Sequence, residues 1–252
     1  MSARVLKKTD TGYLEWAPRP HLADRLVCTW RDPARERAQP VLPDACIDLV
    51  WDGHTLGVAG PDTHAVQING SQTFVGVRFR PGCAPGFLGV SAAELIDARI
   101  ELSQLWGHDA LELQEQLADQ PARAIDLLQD ALAARLPAAS EPDPLVDALV
   151  QALIERTQLI EAAASFGVSE RTLRRRCTEA LGYGPKTLER ILRFRLALRL
   201  LDARHPPALV AQLAGYCDQA HLTNEIGRLA GATPAALVRS GTALPISSNG
   251  CN

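Results

Sequence analysis

Two segments of this 252-residue chain share one layout, and that duplication restricts the fold more than any other feature. LIEAAASFGVSERTLRRRCTEALG (159–182) predicts a helix, a turn at Phe166-Gly167-Val168, an N-cap at Ser169 and a second helix. LVAQLAGYCDQAHLTNEIGRLAG (209–231) repeats the plan, with a turn at Gly215-Tyr216-Cys217 and Asp218 as N-cap. Each carries alanines in the first helix, a glycine in the turn and a leucine four residues past the cap, Leu173 and Leu222. A helix-turn-helix needs these types: a small residue where helices cross, a glycine tolerating positive φ, and an apolar residue fixing the second helix. The segment between them, opened by Pro185, predicts one long helix. Such a strut would hold two units at a separation suited to successive major grooves, about 34 to 36 Å apart.

The charge distribution follows the same division. Residues 145–252 hold 13 Lys and Arg against 9 Asp and Glu, whereas residues 1–144 hold 13 against 20. A basic second half behind an acidic first half is the balance expected when only the second meets a polyanion. No run of 18 apolar residues occurs, and the amino terminus has charge without a following apolar stretch, so neither a membrane span nor a signal peptide is expected and the predicted location is the cytoplasm. Six cysteines lie scattered without a C-x-x-C pair, which points to thiols and away from finger-type zinc.

Upstream of the basic half, residues 1 to about 82 alternate short apolar runs with turn residues: IDLVW, TLGVAG, AVQING and TFVGVRF, broken at WDGH, GPDT and NGSQ. This predicts a small all-β unit. From 91 the period becomes helical, with a capping box at Ser91 and Glu94 and apolar positions Ile125, Leu128, Leu132 and Leu136 behind Pro121. PAASEPDP (137–144) predicts a linker, and 241–252 a flexible tail. The expected organisation is one domain over 1–136, β-rich to about 82 and helical over 91–136, followed by a DNA-binding domain over 145–240; the family resemblance described next implies that the first is a sensor and dimerisation domain.

The basic half resembles the DNA-binding domain of the AraC family of bacterial transcription regulators. GYGPKTLERILRFRLALRLL is similar to the family's linking segment, and AGYCDQAHLTNEIGRLAGATPAAL to its carboxy-terminal signature, matched at Gly215, Tyr216, Asp218, His221, Leu222, Gly231, Thr233 and Pro234. WAPRPHLADRLVCTW, LPDACIDLVWDG and FVGVRFRPGCAPGFLGVSAAELID resemble the sensor half of one branch of the family. The fold class implied is α+β: a cupin-like β-barrel with accessory helices, then an all-α domain of two helix-turn-helix units joined by a long helix. The function implied is sequence-specific binding of double-stranded DNA under control of a small-molecule effector, by a homodimer that contacts RNA polymerase if it activates.

Candidate DNA contacts follow from helical spacing. Arg171, Arg174 and Arg175 fall at i, i+3 and i+4, presenting guanidinium forks from one face, with Arg176 to the side as a phosphate contact. In the second unit Gln219, His221, Thr223, Asn224 and Arg228 would face outward, the amides suited to adenine and the threonine methyl to thymine. This unit departs from the family. Asn224 stands where a cation is usual, Ile226 where an aromatic is usual and Gly227 where a further base is usual, while Cys177 in the first unit replaces a phenylalanine. The expectation is a lopsided reader dominated by the first unit.

In the amino-terminal half, Trp30, Trp51, Phe74 and Phe79 are candidates for an apolar ligand pocket, with Arg78 as an anion clamp or a partner of Asp44 or Asp48. Strand alternation, however, puts Ile47, Leu49 and Trp51 opposite Cys46, Asp48 and Val50, and core packing is the commoner fate of such aromatics. A Cys46/His54/His64 metal site has no supporting ligand array, and no cofactor is expected. No Gly-rich phosphate loop or nucleophile motif occurs, so no enzyme activity is expected. Two alternatives stand beside the effector-responsive regulator: a thiol sensor of oxidation or alkylation through Cys28, Cys46 or Cys83, and an interaction protein that keeps the fold with weakened DNA binding.

Overall fold

A computed structural model describes residues 4–9, 12–34, 39–68 and 70–239, with only the backbone described at 39 and 239; Cys251 and the predicted tail lie outside these residues. The first half contains the strands β1 (Val5–Lys8), β2 (Leu14–Trp16), β3 (Leu26–Asp32), β4 (Gln39–Val41), β5 (Asp48–Trp51), β6 (Leu56–Ala59), β7 (Val66–Ile68), β8 (Phe74–Phe79) and β9 (Arg99–Glu101). Seven form an antiparallel sheet in the order β1-β2-β3-β8-β5-β6-β9, and β4 pairs with β7 separately. The helices α1 (Ala84–Leu88), α2 (Ser103–Trp106), α3 (His108–Asp119) and α4 (Ala124–Arg135) complete this half. The Ser91 capping box forms as predicted, with the Ser91 side chain accepting from the Ala93 amide and Glu94 from the Ser91 amide, but it opens a single 3-10 turn.

Strand alternation gives the large sheet two different faces. Leu26, Leu49, Trp51, Val75, Val77 and Phe79 share a core with the helices, including Phe87, Leu102, Leu117, Leu128 and Leu132. On the opposite face Tyr13, Cys28, Trp30 and Cys46 cluster with Val50 and Phe74 packed against them. Trp30 lies across Gly76, where a Cβ would approach its ring to 2.5 Å, so a bare backbone is needed mid-strand.

The second half is entirely helical: α5 (Pro144–Ile154), α6 (Leu159–Ser165), α7 (Glu170–Leu181), α8 (Pro185–Asp202), α9 (Pro207–Ala214), α10 (Gln219–Ala230) and α11 (Pro234–Arg239). Asp143 in the predicted linker caps α5, accepting from the Leu145 and Val146 amides at 2.9 and 3.3 Å. The strut α8 serves two cores. Leu188, Ile191 and Leu192 pack with α5, α6 and α7, and Phe194, Ala197, Leu198 and Leu201 pack with α9, α10 and α11. Each unit therefore buries its apolar side against one end of a shared helix.

Hydrogen bonds and apolar contacts join the two halves among the described residues. The Ser91 hydroxyl donates to the Glu179 carbonyl at 3.2 Å near the end of α7, and the Ala65 amide donates to the Leu229 carbonyl at 2.7 Å near the end of α10. Arg195 of the strut donates to the Asp44 carbonyl at 2.9 Å. Leu42 enters the core of the second unit and Ala45 that of the first.

Candidate nucleic-acid interface

Both turns are built as the sequence predicts. Gly167 and Gly215 take positive φ, +62° and +76°, which lets each chain reverse into the next helix. Ser169 then accepts from the Thr172 amide at 3.2 Å, and Asp218 from the His221 amide at 2.7 Å, capping α7 and α10. Leu173, Cys177 and Leu181 are buried beneath α7, and Leu222, Ile226 and Leu229 beneath α10, which fixes the opposite faces outward. Burial pushes the Cys177 thiol up to about 12 against the pull of Arg176, in keeping with a small core residue where the family pattern has phenylalanine.

On α7, Arg171, Arg174 and Arg175 are exposed and line one groove with Glu170, Thr178 and Glu179. Arg175 donates to both Glu179 oxygens at 2.9 and 3.0 Å, a surface pair of little strength that a phosphate could displace. Among the described residues, neither Arg171 nor Arg174 has a carboxylate partner. Arg176 differs from expectation. Its Nε donates to Asp143 Oδ2 at 2.5 Å and its terminal nitrogen to Oδ1, so the residue assigned to a phosphate instead ties α7 to the cap of α5. Burial raises Asp143, but the Arg176 hydrogen bonds and the two capping amides outweigh it and hold the carboxyl below its usual range.

The face of α10 is less available. Gln219 and Asn224 are exposed, but Thr223 Oγ1 donates back to the Gln219 carbonyl at 2.9 Å. His221 Nδ1 accepts from the Cys217 amide at 3.3 Å, which leaves Nε2 as the protonated nitrogen, and its ring meets Tyr216 edge-on with centroids 5.2 Å apart. Arg228 donates to Glu225 at 3.0 Å, and the same buried carboxylate accepts from Arg190 of α8 at 2.7 Å. Sequence reasoning missed Glu225. A lone acid on a helix with a single cation reads as surface charge, and only its spacing of three from Arg228 hinted at a partner.

The proposed ligand residues do not converge. Trp51 and Phe79 lie in the helix-packed core, while Trp30 and Phe74 lie on the other face, because strands β3, β5 and β8 place them at opposite phases. Arg78 is committed to carboxylates. It binds Asp48 through Nε and a terminal nitrogen at 3.0 and 2.9 Å, with Asp44 3.3 Å away and Glu15 4.0 Å away. Glu15 is fully buried and accepts from the Tyr13 hydroxyl at 2.9 Å. Among the thiols, burial pushes Cys83 up to about 11 despite Arg25 and Arg80, so the arginine neighbour does not produce a thiolate. Cys28 and Cys46 are buried, and among the described residues no three His, Cys, Asp or Glu gather as a metal site. Nor is any described helix long and apolar enough to cross a membrane.

Comparison with known proteins finds two family matches along the chain. Residues 162–240 match a family described as a helix-turn-helix domain, and residues 14–101 match a domain of unknown function, DUF6597. No curated protein matches. Among solved structures, ToxT from Vibrio cholerae is similar in three forms. A ligand-free variant is 11% identical over 94% of this chain and 100% of that one, and the wild type bound to unsaturated fatty acid is 10% identical over 94% and 98%. A further ToxT structure is 9% identical over 85% and 96%, and the TM-score is 0.45 in all three.

Proposed function

We propose that the carboxy-terminal half is an AraC-type DNA-binding domain of a transcription regulator and that Arg171 and Arg174 on α7 read the operator. The observation that carries this is their exposure on one face of a capped helix without a carboxylate partner, while their neighbours are paired. Gln219 and Asn224 on α10 supply weaker contacts, with His221, Thr223 and Arg228 already engaged internally. Arg175 can exchange its surface carboxylate for a phosphate, whereas Arg228 is held by the buried Glu225 and Arg176 serves the fold. The first half is proposed as a cupin-like effector-responsive domain in a cytoplasmic homodimer, formed through the helices of 91–136, where Leu111 and Ile96 are large apolar side chains left at the surface. Its contacts with α7, α8 and α10 support a route from effector to DNA-binding units, and contact with RNA polymerase follows if the protein activates.

The test begins with selection of bound sites from random double-stranded DNA by the full chain. On the selected site Arg171→Ala and Arg174→Ala should each cost about 1–3 kcal/mol and relax preference at one position. Asn224→Ala and Gln219→Ala should cost less. A larger loss from the α10 substitutions than from the α7 pair would reverse the assignment.

A further inference from the structure

The duplication extends upstream of the two helix-turn-helix units, into the turns that deliver the chain to them. Helix α5 closes with the Arg156 amide donating to the Leu153 carbonyl at 3.2 Å and the Thr157 amide to the Ala152 carbonyl at 2.9 Å. Helix α8 closes in the same way, the Arg204 amide donating to Leu201 at 2.9 Å and the His205 amide to Leu200 at 3.1 Å. Each closure needs one residue in the left-handed region, and glycine is the usual occupant because it has no Cβ to clash there. Here both are arginine, with φ of +71° at Arg156 and +64° at Arg204. Two residues on, the caps of α6 and α9 share one extended conformation, φ −64° and ψ 141° at Gln158 and φ −59° and ψ 139° at Pro206.

Strain kept at the same point of both units implies that the side chain, not the turn, selects arginine. Both arginines are exposed. Arg156 donates to the Leu213 carbonyl at 2.6 Å, a neutral partner that leaves its charge in place. Among the described residues, no side-chain hydrogen bond or ion pair involves Arg204. Each turn leads directly into the first helix of its unit, the helix that crosses the DNA backbone in this motif. On α10, by contrast, the one formal cation, Arg228, is held by the buried Glu225. We infer that Arg156 and Arg204 are paired phosphate contacts, one at the entry to each unit, supplying backbone attraction that the face of α10 lacks. The inference rests on the DNA-binding reading above, but it concerns contacts that hold any duplex and not those that choose a sequence.

The measurement is the salt dependence of binding by the full chain to its selected duplex and to an unrelated one. Arg204→Gly removes the strain together with the charge. It should raise the urea midpoint while lowering the salt slope by about one, and it should weaken both duplexes to the same degree. Arg204→Lys keeps the charge and should keep the slope. Arg156→Gly should also lower the slope by about one and the two glycine substitutions together by about two, whereas Arg123→Gln, at an exposed arginine of the first half, should not move it. Slopes unmoved by either glycine variant, or an equal fall for Arg123→Gln, would overturn the proposal. If Arg171→Ala and Arg174→Ala relax sequence preference while the glycine variants keep the slope, the operator reading stands and this one fails. If the glycine variants lose slope while the α7 variants bind as the unaltered chain does, the phosphate contacts stand and the assignment of Arg171 and Arg174 fails. A chain that binds neither duplex at any salt concentration overturns both.

Discussion

Among individual residues, Arg176 shows where spacing stops being informative. Helical phase put it beside Arg171, Arg174 and Arg175, which is where it is, but its partner Asp143 lies 33 positions upstream in a stretch that reads as linker. The pair gives a pH signature with a definite sign. Because the folded state holds Asp143 below its ordinary range, its contribution is present above about pH 4 and is lost as pH falls through the folded value. Asp143→Asn keeps a good N-cap while deleting the charge, so it isolates the pair from the cap. Urea midpoints at pH 7 should show the variant less stable by about 1 kcal/mol, since both side chains are partly exposed, and the difference should shrink toward zero near pH 3. A difference that persists at pH 3 would mean that capping geometry, not charge, was altered. Arg78 was legible for the opposite reason: both acids offered to it, Asp44 and Asp48, were close in sequence to a strand that pairs with its own.

Elements were more readable than residues wherever a local signal closed them. The caps at Ser169 and Asp218, the proline start of α8, and the glycine turns all produced helices at the predicted places, because each acts within one turn of chain. What the sequence left unread was which strand faces meet. Aromatic content alone placed Trp30, Trp51, Phe74 and Phe79 together, although strand phase divides them between two cores. Within α10, Gly227 is the one interior glycine, exposed and with nothing within 4 Å of an added Cβ. Gly227→Ala should therefore stabilise the protein by about 1 kcal/mol in urea unfolding, and Gly227→Lys should in addition steepen the salt dependence of DNA binding by about one. Loss of stability in the alanine variant would show that some state of the protein needs bare backbone there.

Across the whole molecule, the first half contacts both units and the strut between them. The Ala65 amide bonds the end of α10, the Ser91 hydroxyl the end of α7, and Arg195 joins the strut to the Asp44 loop. None of these contacts was visible in the sequence, since each joins residues more than 80 positions apart. Leu42, 6% exposed within the core of the second unit, is the apolar anchor of this grip, and truncating it removes packing at the junction without touching a reading face. Leu49, fully buried beneath the helices of the first half, is the matched control. Leu42→Ala and Leu49→Ala should each cost about 2–5 kcal/mol. Only Leu42→Ala should alter operator affinity, weakening it by roughly tenfold, because two units free to reorient must be ordered again on each binding event. If instead Leu42→Ala tightens binding, the junction restrains the units in a placement that DNA does not accept, and an effector would act by loosening it. Equal affinity in both variants would leave the two halves energetically independent, with the interdomain hydrogen bonds doing no more than seating one fold against the other.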